Sequence, residues 1–146
     1  MKKIIIASDH AGFELKGRLL DYLHDKYVVE DAGTYTKESC DYPDVGFPAA
    51  EKVAQGLFDA GILICGSGIG MSIVANKVKN IRGALCTSPE IAKLSRQHNN
   101  SNILILPGRF IDFTNAKKVV DVWLKTGFAE GRHHRRIKKI QKYEEQ

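Results

Sequence analysis

Ile62-Leu63-Ile64-Cys65-Gly66-Ser67-Gly68-Ile69-Gly70-Met71 is the stretch whose reading decides the fold. Ile62 to Cys65 is a short apolar run with no polar residue alternating along it, the pattern of a strand covered on both faces. Glycine then recurs at 66, 68 and 70, and a helical pattern follows over Met71 to Val78. A buried strand, a glycine turn and a helix in direct succession make one unit of an α/β protein.

The same unit repeats to either side. Apolar runs at Ile4 to Ala7, Tyr27 to Val29, Gly83 to Cys86 and Ile103 to Leu106 read as further buried strands. Between them, apolar residues return at three- and four-residue steps over Phe13 to Leu23, Val45 to Leu57, Pro89 to Gln97 and Thr114 to Leu124. That alternation predicts right-handed crossovers and a parallel five-stranded sheet with helices on both faces, a doubly wound, Rossmann-like α/β fold. A chain of 146 residues supports one core and not two, so residues 1–146 are expected to form a single domain. Ser88 before Pro89 reads as a helix cap and first helical residue, and Asp44 before Val45 as another cap. The polar stretch from Gly33 to Asp44, with Tyr42 near its end, predicts a long loop of the functional kind. Past Gly131 the chain resumes as a C-terminal arm, about 131–146, whose narrow apolar face of Ile137, Ile140 and Tyr143 suits the surface or a second subunit.

Composition narrows the class. The hydrophobic share of 43% and charged share of 27% are those of a soluble globular chain. No apolar run approaches the ~20 residues of a membrane helix. Met1-Lys2-Lys3-Ile4 opens like a secretory leader, but the apolar stretch ends at Ser8-Asp9 and reads as a strand. Three cysteines, Cys40, Cys65 and Cys86, form neither a disulfide framework nor a zinc pattern, so reduced thiols and a cytoplasmic location are expected, with no metal. The net charge of +5 is concentrated in the C-terminal stretch holding Arg132, Arg135, Arg136, Lys138, Lys139 and Lys142. Such a patch attracts anions, whether nucleic acid, a membrane surface or a small phosphate, and charge alone does not choose among them.

In an open parallel sheet ligands sit outside the carboxyl ends of the strands. Those ends are Asp9-His10, Cys65 to Gly70, and Pro107-Gly108-Arg109. The glycine loop running into a helix offers backbone N–H groups to an anion, or is simply a tight turn that needs glycine. It is no Walker loop, and Met71 stands where a dinucleotide fingerprint needs its third glycine; the strand that follows ends Ala84-Leu85-Cys86 without the usual acid. A nicotinamide-dependent oxidoreductase is therefore disfavoured. Cys65 ends its strand beside a helix N-terminus, where a thiolate is stabilised and can act as base or nucleophile, or it is merely a buried small residue. Cys40 and Cys86 keep the second reading. His98, in Arg96-Gln97-His98-Asn99-Asn100, suits proton transfer near neutral pH or is a solvated helix-end histidine, as His24 is taken to be. Asp9 can cap the helix after it, and Arg132 and Arg136, four apart, can fork onto one phosphate or form a solvated basic face.

Together these pieces resemble the type B ribose-5-phosphate isomerases, of the family that also holds the galactose-6-phosphate isomerase subunits. The resemblance runs through nearly the whole chain. It rests on Ser8-Asp9-His10-Ala11-Gly12, Asp41-Tyr42-Pro43, Cys65 to Gly70, Ala75-Asn76-Lys77, Leu94 to Asn99 and Gly131-Arg132-His133, in family order. It implies interconversion of ribose 5-phosphate and ribulose 5-phosphate, in the pentose phosphate pathway, with no cofactor. Hexose 6-phosphates such as those of allose or galactose are the alternative. Cys65 would move the proton through an enediolate, with the amides of Gly66, Ser67, Gly68, Ile69 and Gly70 and the Ser67 hydroxyl holding the developing oxyanion. His98 would open the sugar ring, Tyr42 and Asp9 would hold sugar hydroxyls, and Asn99 would lie against the enediolate. His10, Arg109, Arg132 and Arg136 would hold the phosphate. A homodimer or dimer of dimers with sites shared between subunits is implied as well. Against this, a nucleic-acid module is disfavoured because Tyr143 stands alone among the terminal charges and no recognition helix is evident.

Overall fold

The computed structural model describes residues 2–146. Five strands, β1 (Lys3–Ser8), β2 (Val28–Asp31), β3 (Ala60–Cys65), β4 (Gly83–Leu85) and β5 (Ile103–Pro107), form one sheet in the order β2-β1-β3-β5-β4. Every pairing is parallel. The helices are α1 (Phe13–Leu23), α2 (Tyr42–Ala54), α3 (Ile69–Lys77), α4 (Pro89–Asn99), α5 (Phe113–Lys125) and α6 (Arg132–Glu144), with a single 3-10 turn over His10–Gly12.

Strand alternation divides the core in two. Ile4, Ile6, Ile62, Ile64, Leu104 and Leu106 face one way, against Leu15, Leu19 and Leu23 of α1 and Val119, Val120 and Trp123 of α5. Ile5, Ala7, Leu63, Cys65, Ile103 and Ile105 face the other, against Ala49, Ala50 and Val53 of α2 and Met71 and Ala75 of α3. Each fully buried Ile or Leu contributes roughly 1.5–3 kcal/mol, so the three central strands carry much of the folding energy. The chain leaves β1 toward β2 on one side and returns to β3 on the other. The crevice between β1 and β3 at their carboxyl ends is thus the topological switch point.

The sheet corrects the expectation that all strands are buried on both faces. β2 is an edge strand running Val28 to Asp31, two residues beyond the sequence reading, and its residues alternate between exposed and half-buried. β4, the other edge, is half-buried throughout and stops at Leu85. α2 begins at Tyr42, not Val45, with Asp41 rather than Asp44 at its N-cap position. Pro43 explains the early start, since its fixed φ suits a first helical turn. α3 likewise begins at Ile69. Ser88 does cap α4, accepting the Ile91 N–H at 3.3 Å.

Candidate active site at the carboxyl edge of the sheet

Cys65 is the last residue of β3, paired with Pro107 of β5. It is only 4% exposed, yet its Sγ accepts the Met71 N–H at 3.5 Å and so lies against the first turn of α3. Gly68 makes the turn possible with φ of 80°, a left-handed conformation that an L side chain resists. The Ser67 Oγ accepts the Ile69 N–H at 3.2 Å, which satisfies the first amide of α3 and leaves the hydroxyl hydrogen for a further acceptor. The N–H groups of Ser67, Gly68 and Gly70 take no partner among the described residues. A thiol, a hydroxyl and three amides thus meet at one helix N-terminus, where negative charge is stabilised.

The neighbouring strand ends close around this loop. Asp9, buried after β1, accepts the Ala11 and Gly12 N–H groups through Oδ1 at 2.9 and 3.2 Å, so the capping reading holds, and Oδ2 remains for another donor. His10 Nδ1 accepts the Cys40 N–H at 3.2 Å. Arg109 N–H donates to Gly66 O at 3.0 Å, and its side chain crosses Gly66 so closely that an added Cβ there would lie 3.4 Å from Nη1. Tyr42, at the start of α2, lays its ring on Gly70, where an added Cβ would fall 2.7 Å from the ring. The structure therefore gathers Asp9, His10, Tyr42, Cys65, the loop from Gly66 to Gly70 and Arg109 at the switch point.

It does not bring His98, Asn99, Arg132 and Arg136 there within one chain. α4 runs back against the strands and ends at the opposite edge, where Asn102 O accepts the Gly61 N–H at 3.0 Å. From Gly61 to Cys65 the strand rises about 13 Å at ~3.3 Å per residue. At that far edge His98 stacks on His133, ring centroids 4.3 Å apart and planes 14° from parallel. Ala129 N–H donates to Gln97 O at 3.0 Å, tying the start of the arm to the end of α4. Arg132 and Arg136 are exposed one turn apart on α6. A cleft of about 680 Å³ between α6 and β4 is lined by Asn99, Asn76, Ile137, Ile140 and Tyr143, and none of Cys65 to Gly70 lines it. The single phosphate site expected of His10, Arg109, Arg132 and Arg136 is thus split between two edges of one chain.

Three contacts had no counterpart in the sequence reading: the Met71 amide on the thiol, the Cys40 amide on His10, and His133 on His98. His133 stood in the Gly131-Arg132-His133 motif without a role. The amides carry no sequence signal, since any residue but proline supplies one. Burial, then the positive charge of His98, Arg132 and Arg136, hold His133 below the ordinary imidazole value. Burial pushes the Cys86 thiol up, in keeping with its reading as a core residue. No helix among the described residues is long and apolar enough to cross a membrane.

A doubly wound sheet with a thiol and an amide cradle at its switch point defines an α/β protein equipped to handle a small anionic substrate. The comparisons narrow this class to one family. A model of the ribose/galactose isomerase family matches residues 4–140, and the chain belongs to that family. It is 45% identical to ribose-5-phosphate isomerase B of Escherichia coli over 141 residues, 96% of this chain and 95% of that one. It superposes with a TM-score of 0.94 on a ribose 5-phosphate isomerase of Thermotoga maritima, at 52% identity and over 97% and 98% of the two chains. A TM-score of 0.96, at 45% identity and over 99% and 97% of the chains, relates it to ribose-5-phosphate isomerase B of Mycoplasma genitalium crystallised with ribulose 5-phosphate.

Proposed function

We propose that this chain is an aldose–ketose isomerase that interconverts ribose 5-phosphate and ribulose 5-phosphate through an enediolate. The observation that carries the reading is the Cys65 sulfur, held by the Met71 N–H at 3.5 Å at the floor of the glycine loop. As thiolate, Cys65 removes the proton from carbon 2 of the open-chain aldose. Electrons move onto the carbonyl oxygen at carbon 1, which the loop amides and the Ser67 hydroxyl receive; the carbon-2 hydroxyl gives up its proton, the carbon-1 oxygen gains one, and Cys65 returns its proton to carbon 1 as the carbonyl forms at carbon 2. Asp9 and Tyr42 hold sugar hydroxyls, and His10 and Arg109 hold the phosphate. The steps so drawn need a base and fixed donors and no cofactor.

The site is completed by a second copy of the chain. His98, Asn99, Arg132 and Arg136 cannot reach Cys65 across their own sheet, and Ile69 and Ile73, one turn apart beside the cradle, expose 58% and 55% of their surface. An isologous dimer seated on that face covers them and delivers the partner's basic edge to the open cradle. His98 of the partner subunit then opens the furanose ring, and the added arginines close the phosphate site. The three free cysteines suit the reducing cytoplasm.

Purified protein mixed with ribose 5-phosphate is expected to yield ribulose 5-phosphate. Cys65→Ala is expected to lower kcat by about 10²–10⁴-fold, the usual contribution of a positioned base, with an unchanged circular dichroism spectrum. Near-normal turnover by that variant would remove Cys65 from the mechanism. The family description also covers galactose, so the same assay run with allose and galactose 6-phosphates tests the second reading, a hexose 6-phosphate isomerase.

A further inference from the structure

We propose that His10 serves as a neutral donor through its Nε2–H, with its tautomer set by the main-chain N–H of Cys40, and that the segment from Gly33 to Asp41 is ordered to supply this contact. The inference rests on the reading that an anionic sugar phosphate binds at the switch point, and deepens it by naming the chemical form in which His10 meets that substrate.

A backbone N–H can only donate, so the His10 Nδ1 that it approaches at 3.2 Å must offer a lone pair. In a neutral imidazole the hydrogen then sits on Nε2, on the side of the ring away from residue 40. A cationic His10 would carry a hydrogen on Nδ1 as well, and two hydrogens would face each other across that contact. His10 therefore differs from Arg109, which brings charge. It brings one directed donor, suited to a phosphate or hydroxyl oxygen at a fixed place.

The segment that carries Cys40 is anchored over its first half. Gly33 O accepts the Ser8 N–H at 2.7 Å, and Ser8 O accepts the Thr34 N–H at 2.6 Å. Asp31 accepts the Gly33 N–H at 3.0 Å and forms an ion pair at 2.6 Å with Lys16, whose side chain is almost wholly buried. The Lys16 ammonium also lies 5.6 Å from the Tyr35 ring centre, and Tyr35 OH donates to Asp31 O at 3.1 Å. Lys37 pairs with Glu14 of α1 at 2.9 Å. A buried lysine is costly unless paired, so this anchor is a built feature. At the far end of the same segment one amide meets one imidazole.

Two measurements on the full chain test this. In a long-range proton–nitrogen NMR spectrum of the substrate-free protein near neutral pH, His10 is expected to show a pyridine-like Nδ1 and a pyrrole-like Nε2. In steady-state assays His10→Asn, whose amide nitrogen falls where Nδ1 was, is expected to raise KM about tenfold with kcat little changed. His10→Gln, whose amide nitrogen reaches the Nε2 place, is expected to recover most of that loss. A hydrogen on Nδ1, or glutamine no better than asparagine, would overturn the assignment. Isomerase turnover is scored separately on the unaltered chain. Its absence would count against the reading of the site, whereas turnover with a hydrogen on Nδ1 would overturn the tautomer alone.

Discussion

His133 shows how a residue's surroundings set its proton. Its imidazole loses water to its surroundings, and His98, stacked 4.3 Å away, with Arg132 and Arg136 adds a field that opposes positive charge on it. Because burial and these charges lower the value for His133 from 6.5, the unfolded chain binds more protons than the folded one just below that pH. The stability His133 contributes is thus present above 6.5 and lost as the pH falls through its lowered value. A proton NMR titration is expected to place its midpoint below 6.5, and His98→Asn to move the midpoint upward. A midpoint at or above the ordinary value, or one indifferent to His98, would sever the coupling. Among single residues, legibility followed chain position. Asp9, His10, Cys65, Ser67 and Arg109 could be singled out because each ends a strand or lies within two residues of its end, where a parallel sheet puts its ligands. Cys40 could not, since its amide reaches His10 across a separation of 30 residues.

At the scale of elements, the turn into α3 and the body of α1 make opposite use of glycine. Gly68 has a φ of 80°, and an added Cβ would fall 2.5 Å from Leu85 Cδ1. Gly68→Ala is expected to cost about 1–3 kcal/mol in urea unfolding and to lower kcat by displacing the amides that face the thiol. Gly17, mid-way along α1, has nothing within 4 Å of its would-be Cβ. Gly17→Ala is expected to add roughly 0.5–1 kcal/mol through helix propensity and to leave kinetics alone. Equal effects from the two substitutions would mean the turn is not strained. The strands were legible where their residues are apolar without interruption. β1, β3 and β5 are continuous apolar runs and were found within a residue or two. β2, with Glu30 and Asp31 inside it, was cut short because an edge strand mixes polar residues into its run. The start of α2 was hidden because Asp41-Tyr42-Pro43 reads as turn chemistry until the helix behind it is seen.

For the whole molecule, the fold class and the two-layer cover of the sheet were readable from the order of elements. The division of the site was not, because motif spacing along a chain says nothing of which edge of a sheet each motif reaches. The course of α4 supplies that: it starts after the carboxyl end of β4 and ends before the start of β5, so its His98 lies at the sheet edge opposite the Cys65 of its own chain. If the site is shared, two inactive variants hold complementary halves. Mixing Cys65→Ala with His98→Asn, with subunit exchange allowed, gives half the dimers as hybrids under random pairing. Each hybrid has one site carrying both substitutions and one carrying neither. Recovery to about a quarter of normal activity is therefore expected, one intact site in half of the dimers. The exchange itself is followed by mass spectrometry on differently tagged chains. Hybrids that form without recovered turnover would place His98 and Cys65 in the same chain's site, against the separation that the sheet imposes.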